Sequence, residues 1–447
     1  MNYELITTMN SLNNLLSFLK EIIQQRLAFE LEGKNIIAPN LDISEDKSYL
    51  AQFIAQKELT GQELVFLLLA IVPHLSPDFI TNIIANILPN GGEFPAFGGV
   101  KGKSHRGLLP TGETALYVLC GSNVDKRLET IQQIVENSIL FKEQILQIES
   151  TPRGEPMMSG KLIIDEEYLS TLTTGNIVKP KLSSDFPAEL ITTELEWDDL
   201  VLQEKTLDEI YEIETWLKYN DHLLSDWKML GKIKPGFRIL FHGPPGTGKT
   251  MTACLLGKYT KRHVFRVDLS MIVSKYIGET EKNLSKLFDK AANKDWILFF
   301  DEADSIFGKR TSVRDAHDKY ANQEVSYLLQ RIESHAGLVI LASNMKSNID
   351  SSFTRRFNSI IEFDNPDGAE RLQLWRNYFP SIAQLEKGVD LDDIAQKYQL
   401  TGANIVNVIH YAALQTLKKE SQTILAADLL KGIQKEYEKE GKMLRMK

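Results

Sequence analysis

The feature that most constrains the fold is a glycine-rich loop that joins an apolar run to a helix-like stretch. The apolar run is Ile239-Leu240-Phe241, the loop is Gly243-Pro244-Pro245-Gly246-Thr247-Gly248-Lys249-Thr250, and the helix-like stretch runs from Met251 to Tyr259. Glycines let the backbone curl so that successive N–H groups point inward, and the N-terminus of the following helix favours negative charge. Strand, loop and helix in this order predict a phosphate-binding loop in a parallel α/β sheet.

The end of this loop carries the residue types that a bound nucleotide requires. Lys249 is predicted to reach the β and γ phosphates of ATP, and Thr250 is predicted to ligate Mg²⁺. We assign the loop from Gly243 to Thr250, together with Met251, to nucleotide binding. A glycine-rich turn that matches by chance is the alternative, and the Lys-Thr ending between correct flanks argues against it.

A second apolar run, Ile297-Leu298-Phe299-Phe300, ends in the acids Asp301 and Glu302. A run of this kind is typical of a central parallel strand, whose C-terminal end is where ligands bind in open α/β sheets. Asp301 is predicted to hold Mg²⁺, directly or through a water, and Glu302 to polarise the water that attacks the γ-phosphate. Acids after a strand are often solvated turn residues, but the nearby phosphate loop favours the catalytic interpretation.

A third strand-like run, from Gly337 to Ser343, ends in Asn344. An amide at this position can hydrogen-bond both the γ-phosphate and the attacking water without changing the local charge. We also expect a sheet of five parallel strands, in which the Asn344 strand lies between the phosphate-loop strand and the Asp301 strand. A turn-forming asparagine after a core strand is the alternative.

Two adjacent arginines, Arg355 and Arg356, precede a strand-like run at Ile360-Ile361-Glu362-Phe363. They could form a surface ion pair. A guanidinium group, however, matches the geometry of a phosphate, and an arginine supplied by a neighbouring subunit accelerates phosphoryl transfer by about 10³- to 10⁵-fold. That role requires an oligomer.

Together these motifs resemble those of the AAA+ ATPases, and within them the AAA family proper, over about Trp197 to Ala426. The family includes protein unfoldases and the microtubule-severing and membrane-remodelling enzymes. The resemblance implies that Asn344 is sensor 1, that Arg355 and Arg356 are arginine fingers, and that Asp199-Leu200-Val201 lies against the adenine. It also implies that the run Leu400-Thr401-Gly402-Ala403-Asn404-Ile405 begins the lid helix, with Gly402 and Ala403 at the nucleotide. Relatives commonly carry an acid where Asn404 stands, and no arginine follows at once, so a sensor-2 arginine is in doubt.

The run Ser274-Lys275-Tyr276-Ile277-Gly278-Glu279 separates a protein translocase from other phosphate-loop machines. In the family, an aromatic residue, an aliphatic residue and a glycine at this place line a central pore. An aromatic ring on a glycine-hinged loop can press on an extended chain with little sequence preference. We predict that Lys275, Tyr276 and Ile277 contact a protein substrate; packing of Tyr276 in the domain core is the alternative. The polar stretch from Gly308 to Asp318 is a candidate second pore loop.

Composition agrees with a cytoplasmic ATPase. The 447 residues are 43% hydrophobic and 25% charged, with a net charge of -9, which argues against a general nucleic-acid-binding surface. Only Cys120 and Cys254 occur, so a disulfide framework is excluded and a reducing compartment is expected. The N-terminus lacks the pattern of a signal peptide, and the longest apolar stretch, Leu64 to Val72, is too short to span a bilayer. No His or Cys cluster has ligand spacing, so Mg²⁺ is the one metal expected.

Helical and strand-like patterns divide the chain into four parts. Residues 1–175 are predicted to form a mainly α-helical N-terminal domain for substrate or adaptor recognition, with helices near Leu5 to Leu31 and Asp125 to Glu149. Residues 176–196 are predicted to be a linker. The glycine-rich stretch from Gly91 to Gly107 is interpreted as a mobile partner-contact loop or a long connection.

The remaining two parts form the predicted ATPase. Residues 197–365 are the α/β subdomain and residues 366–447 are a helical lid that turns nucleotide state into rigid-body motion. The fold class is thus an α/β phosphate-loop AAA+ module with a C-terminal helical lid, preceded by a mainly helical domain.

These features predict a homo-oligomeric ring, expected to be a hexamer, that uses Mg²⁺ and ATP to remodel a protein substrate. Sequence phrases from His105 to Ala115 and from Trp197 to Leu202 resemble bacterial AAA ATPases encoded beside phage-tail-like contractile injection systems. That resemblance implies an injection-system structural or effector protein as the client. Two alternatives are a nucleotide-gated scaffold that threads nothing and, less well supported by the charge balance, a DNA-directed loader or helicase.

Overall fold

The computed structural model describes most of the chain and divides it into two compact units, Met1–Lys179 and Pro180–Lys447. The described residues are 3–37, 39, 41, 46–87, 94–176, 179–183, 186–272, 279–292, 294–304, 316–344 and 354–441, with the side chains of 3–11 and 316–322 left out.

The first unit is mainly helical, as the sequence predicts. Its helices are α1 Tyr3–Glu32, α2 Tyr49–Gln56, α3 Gly61–Leu75, α4 Phe79–Ile87, α5 Gly112–Cys120, α6 Val124–Thr130, α7 Ile139–Lys142 and α8 Glu166–Thr174. Helix α3 forms the centre of the core, because every residue from Leu64 to Val72 is buried. A capping box starts this helix: Thr60 accepts from the Glu63 N–H, and the Glu63 carboxylate accepts from the Thr60 N–H over 2.8 Å.

The prediction of one long helix from Asp125 to Glu149 was wrong. Helix α6 passes into a π-helical turn at Ile131–Glu136, α7 restarts the chain, and strand β3 Leu146–Ile148 pairs antiparallel with β4 Leu162–Ile164. Ser138 causes the restart, since its hydroxyl accepts from the Leu140 N–H and donates to the buried Glu63 carboxylate.

The described part of the glycine-rich stretch is a connection that packs on its own unit. Strand β1 Val100–Lys101 pairs antiparallel with β2 Leu108–Leu109. The Phe97 side chain is fully buried, with its ring centroid 5.6 Å from that of Tyr117. Residues 88–93 lie outside the described chain. Of the two interpretations of this stretch, the folded hairpin favours the long connection.

Among the described residues, no individual helix has the length and apolar character to cross a membrane. Helices α3 and α4 pass that test only as a pair, and they are bent by 103° at the break between them.

The second unit is built on a six-stranded sheet in the order β10-β6-β9-β8-β7-β5. Its strands are β5 Ala188–Ile191, β6 Phe237–His242, β7 His263–Val267, β8 Trp296–Phe300, β9 Leu338–Ser343 and β10 Ser359–Glu362. The five from β6 to β10 are parallel, as predicted, and β9 separates β6 from β8, also as predicted.

The prediction that residues 176–196 are all linker was wrong, because Ala188–Ile191 within them form strand β5. It pairs antiparallel with β7 at the sheet edge, so the end of that segment belongs to the ATPase unit. The strand is held there because the ring of Phe186, just before it, packs edge-on against Phe265 at 5.2 Å and against Trp296 at 5.6 Å between centroids.

Helices cover the sheet and connect its parallel strands. They are α9 Glu204–Ser225, α10 Lys249–Thr260, α11 Leu269–Ile272, α12 Glu279–Ala291 and α13 Ala316–Ser334. Two apolar clusters result: one contains Leu240, Leu298 and Leu341, and the other contains Phe241 and Phe299. Side chains that alternate along each strand thus bury both faces of the sheet, which explains why β6, β8 and β9 are apolar throughout.

The C-terminal part is helical, as predicted, with one small addition. Its helices are α14 Gly368–Tyr378, α15 Leu391–Lys397, α16 Gly402–Lys418 and α17 Ala426–Lys439. Two short parallel strands, β11 Gln384–Leu385 and β12 Thr423–Ile424, join the segments between them. The core of this part is centred on the fully buried Trp375.

Candidate nucleotide-binding site

The phosphate-binding loop leaves the sheet where β6 ends and enters α10 at Lys249. Gly246 has φ 78°, and a Cβ placed there would lie 2.7 Å from the Ala403 Cβ. Gly243, with φ 147°, leaves no room for a side chain, since a Cβ would meet the Phe363 carbonyl oxygen at 2.0 Å. These glycines are therefore required both by the curl of the loop and by the close approach of β10 and α16.

Lys249 is held inside the loop that it closes. Its ammonium donates to the carbonyl oxygens of Gly243 at 2.7 Å and Pro244 at 2.9 Å, and the residue is only 8% exposed. Burial lowers the pKa of Lys249, while the charges of Asp301 and Asp304 oppose that shift. An ammonium has three N–H donors, so two bonds to the loop leave one for a phosphate oxygen.

The predicted catalytic acids stand at the end of β8, in a tight backbone turn. The Glu302 N–H donates to the Asp301 carboxylate at 3.0 Å, and the Ala303 N–H donates to the Ala342 carbonyl at 2.8 Å. Glu302 has φ 49°, a left-handed conformation that is uncommon for a non-glycine residue. The turn leaves the Glu302 residue exposed and Asp301 half-buried.

Asn344 follows β9, the strand between β6 and β8, and is exposed. The end of β9 touches the phosphate loop directly, because the Gly243 N–H donates to the Ser343 carbonyl at 3.3 Å. Since the three strands are parallel and adjacent, Lys249, Asp301, Glu302 and Asn344 all stand at one edge of the sheet.

A cavity of about 450 Å³ opens beside the loop. The segments that line it include the predicted loop residues Gly246 to Met251, the predicted adenine segment Asp199 to Val201, and the predicted lid residues Gly402 and Ala403. The Ala403 N–H also donates to the Gly246 carbonyl at 3.3 Å. The structure thus brings these three sequence segments together around one space.

Residues of α14 line the same cavity, and they were not predicted from the sequence as part of the site. Tyr378 donates its hydroxyl to the Asp199 carbonyl at 3.3 Å and lies 3.9 Å from the Met251 sulfur. Asn377 donates to the Asp198 carbonyl at 2.7 Å. Burial raises the pKa of the Tyr378 hydroxyl, and the Asp199 charge adds to that shift. Leu374 lines the cavity four residues earlier, a helical spacing that could have revealed this face.

Asn404, which stands where relatives commonly carry an acid, caps the lid helix. Its side-chain oxygen accepts from the Thr401 N–H at 3.0 Å, and its amide donates to the Glu436 carboxylate, also at 3.0 Å. Asn407, which lines the nucleotide cavity, donates to the same carboxylate at 3.3 Å. A buried glutamate of α17 therefore supplies the negative charge near this position.

Arg355 and Arg356 lie away from the phosphate loop. Both precede β10, whose Ser359 is beside Ile239 in the parallel ladder, whereas Gly243 follows the other end of β6. At 3.3 Å per residue, the arginine backbone and the loop are about 20 Å apart along the strands. Both arginines are exposed, and Arg356 forms an ion pair with Glu333. Within one chain, the structure does not bring these arginines to the other site residues.

The two predicted substrate-contacting segments fall wholly or mostly outside the described residues. Lys275, Tyr276 and Ile277 lie outside the described residues, as does most of the candidate second loop from Gly308 to Asp318. The part of that loop from Ala316 onward belongs to α13, without described side chains.

The donor set at the sheet edge fits a nucleotide with Mg²⁺. A buried ammonium and the backbone N–H groups of a glycine-rich loop suit phosphates, while the Thr250 hydroxyl and the Asp301 carboxylate are the oxygen donors that Mg²⁺ prefers. In the described part of the chain, no group of three or more His, Cys, Asp and Glu side chains is arranged to hold another metal.

Comparison with known proteins agrees with this site. Residues 239–365 match the family described as "ATPase family associated with various cellular activities (AAA)". The chain contains an AAA ATPase domain. The matched range of the AAA domain begins in β6 and ends after β10, so it includes the phosphate loop, the acids, Asn344 and the arginine pair.

Two curated relatives extend the match of the AAA domain. The "ATPase family gene 2 protein" of Schizosaccharomyces pombe is 32% identical over 192 residues, covering 42% of this chain and 24% of that protein. The "Proteasome-activating nucleotidase" of Aeropyrum pernix is 32% identical over 240 residues, covering 52% of this chain and 58% of that protein. The chain spans less than two thirds of either relative.

Proposed function

We propose that this protein is a Mg²⁺- and ATP-dependent remodeller of protein substrates that works as a homo-oligomeric ring, with six copies expected. The AAA domain supports ATP hydrolysis in general. The name of the Aeropyrum pernix relative, a proteasome-activating nucleotidase, supports an action on proteins. The ring is inferred from the separation of Arg355 and Arg356 from the phosphate loop. Because these arginines do not reach the loop of their own chain, a neighbouring copy would have to supply them.

Each residue at the sheet edge has a role in this proposal. Lys249 and the loop N–H groups bind the β and γ phosphates, and Thr250 and Asp301 hold Mg²⁺, which neutralises phosphate charge when bound. Glu302 accepts the proton of the attacking water, and Asn344 orients that water. Asp199 to Val201, Gly402 and Ala403 enclose the base.

The arginine pair completes the site from a neighbouring copy. Within one chain, about 20 Å of sheet separates it from the phosphate loop, which is farther than an arginine side chain reaches. Arg356 forms an ion pair with the Glu333 carboxylate, and the Lys234 ammonium lies 3.3 Å from the same carboxylate. Burial raises the pKa of Glu333, but these two cations more than offset that rise, so the pKa is lowered overall. Arg356 is therefore held at the surface of the unit, and Arg355 is exposed beside it, where a second copy can meet both.

A mixing experiment tests this arrangement. Glu302→Gln retains its arginines, and an Arg355→Ala, Arg356→Ala double variant retains its glutamate, so each alone should hydrolyse ATP poorly. In an equimolar mixture, about a quarter of neighbouring pairs join an intact glutamate to an intact arginine pair, and about a quarter of the wild-type rate should return. A mixture as inactive as its components, in particles shown to be mixed, would contradict the proposal.

Threading of a substrate through the ring is the finer part of the proposal. It rests on the resemblance of Lys275-Tyr276-Ile277 to a pore loop. Tyr276→Ala should retain most ATPase activity but lose unfolding of a tagged protein substrate, whereas Tyr276→Phe should retain both. Unchanged unfolding by Tyr276→Ala would leave a nucleotide-gated scaffold as the better description.

We further propose a cytoplasmic client from a contractile injection system, a tube, sheath, baseplate or effector protein. This rests on the resemblance of the phrases at His105 to Ala115 and Trp197 to Leu202. The test is affinity capture from the native host with Glu302→Gln in ATP, with a Glu302→Gln, Tyr276→Ala variant as the control. Injection-system proteins retained by the first and lost by the second would support it; capture of unrelated proteins would contradict it.

A further inference from the structure

Two large apolar side chains stand exposed on the segment that follows α9. Trp227 is 69% exposed and Leu230 is 71% exposed. Their backbone is held in place, because the Trp227 N–H donates to the His222 carbonyl at 3.3 Å and the Leu230 N–H donates to the Leu224 carbonyl, also at 3.3 Å. A fixed apolar pair on a surface is typical of a contact site rather than of a solvated loop.

This pair adjoins the arginine surface. After Leu230 the chain turns back through Ile233, whose N–H donates to the Met229 carbonyl at 3.2 Å. Ile233 and Lys234 then line a cavity of about 680 Å³ together with Arg355 and Arg356. The apolar pair and the cationic cavity are thus consecutive parts of one surface.

The charge of this surface indicates what covers it. Arg355, Arg356 and Lys234 present cations, with Glu333 as the acid between them. The phosphate-loop edge of another copy presents the acids Asp301, Glu302 and Asp304, and a nucleotide would add phosphates there. Complementary charge therefore favours contact between the two different edges of neighbouring chains.

An apolar counter-surface is present beside the nucleotide cavity. Helix α16 begins in that cavity at Gly402 and presents an exposed apolar side chain at its lining, Val406 at 37%. Two exposed leucines follow about 18 to 23 Å from Gly402 along the helix, Leu414 at 49% and Leu417 at 68%. Both features belong to the same unit. One copy can therefore offer acids and apolar side chains together to the arginine surface of the next.

We infer that Trp227 and Leu230 anchor the contact between neighbouring copies, by packing on the nucleotide-cavity edge of a second copy of this chain. The contact is head-to-tail, because the two edges differ, and a head-to-tail contact closes into a ring when its rotation permits. Apolar anchors beside a charged pair would set the arginines in register with the neighbouring phosphates. The inference rests on the proposed function and deepens it.

The test compares two double variants of the full chain. Trp227→Ser with Leu230→Ser removes the anchors, and Val124→Ser with Leu128→Ser removes side chains of similar exposure, 66% and 62%, from the first unit. Sedimentation velocity in Mg²⁺-ATP measures assembly across a range of protein concentrations. The anchor variant should need at least about tenfold more protein to assemble, as expected for two buried apolar side chains lost from an interface.

Activity gives a second readout. The anchor variant retains every site residue, so its ATPase rate per chain should be low in dilute solution and should recover at high concentration. Leu417→Ser, on the proposed counter-surface, should also raise the protein concentration needed for assembly. Thermal unfolding of the monomer should stay unchanged, because the replaced side chains are exposed.

The outcomes separate this inference from the proposed function. If the anchor variant assembles like the wild type, the inference is overturned, and the ring stands. If the wild type hydrolyses ATP as a monomer at every concentration, the ring itself fails, and the anchors fail with it. If the control double variant loses assembly equally, the effect is not specific to the arginine surface and the inference is also overturned.

Discussion

The ammonium of Lys249 donates to the carbonyl oxygen of Gly243 over 2.7 Å, so the lysine is tied to the first residue of the loop that it ends. This bond orients the side chain along the loop. Because Lys249 is buried, its charge is poorly hydrated and is available for a phosphate.

Lys249→Ala should weaken ATP binding by at least about tenfold, since it removes a charge-assisted hydrogen bond worth about 1.5–3 kcal/mol. Titration with a fluorescent ATP analogue measures the change. The matched control is Lys258→Ala on the same helix, where the ammonium binds the exposed Glu196 instead. Equal affinity in the two variants would remove Lys249 from the phosphate site.

Glu302→Gln should bind ATP with little change but hydrolyse it about 10²- to 10⁴-fold more slowly, because the amide cannot accept the proton of the attacking water. Single-turnover hydrolysis and equilibrium binding, measured on the same sample, separate the two effects. Glu194→Gln, an exposed glutamate before the AAA domain, is the control. Near-normal turnover by Glu302→Gln would assign the proton to another group.

Tyr378→Phe should speed release of the nucleotide by about two- to tenfold, the effect of losing one neutral hydrogen bond. The phenol ties α14 to the Asp199 carbonyl, so its loss should loosen the lid while the ring still fills the cavity. Stopped-flow release of a fluorescent ADP analogue measures this. The control, Tyr219→Phe, alters an exposed tyrosine of α9 and should release the ADP analogue at the wild-type rate. Release by Tyr378→Phe at the wild-type rate would show that its hydroxyl has no positioning role.

His335 predicts a pH dependence of stability. Burial, and then the charge of Arg331, lower the His335 pKa to about 4, so the folded protein keeps this side chain neutral where the unfolded chain would protonate it. Stability should therefore fall as pH drops from 6.5 towards 4, by up to about 1.4 kcal/mol per pH unit from this group.

His335→Gln should flatten that dependence. Thermal unfolding of wild type and variant at pH 7.5, 6.5 and 5.5 is the measurement. The two curves should diverge below pH 6.5 and run parallel above it. His222→Gln, on an exposed pair with Asp226, serves as the control and should leave the pH dependence of the wild type in place. A constant gap between wild type and His335→Gln would show that His335 does not titrate with unfolding.

The phosphate loop, the acids and Asn344 were predictable because each follows a continuous apolar run. Such runs indicate buried parallel strands, and parallel strands end at a common edge, so residues after β6, β8 and β9 must meet there. Local patterns likewise predicted that residues 366–447 are mainly helical, because helical periodicity is contained within each segment.

What local patterns could not supply depended on contacts between distant segments. Strand β5 looked like part of a linker because it is short and follows prolines, and its pairing with β7 is a long-range contact. The helix predicted through Ser138 breaks because a buried glutamate 75 residues earlier accepts its hydroxyl. Tyr378 joined the site for the same reason, since its partners Asp199 and Met251 lie far away in the chain. Residue chemistry and periodicity were thus enough to predict the parallel strands, the phosphate loop and their common edge. Only the tertiary structure established the lid contacts and the distance of Arg356 from the loop. These two features depend on which segments become neighbours when the chain folds.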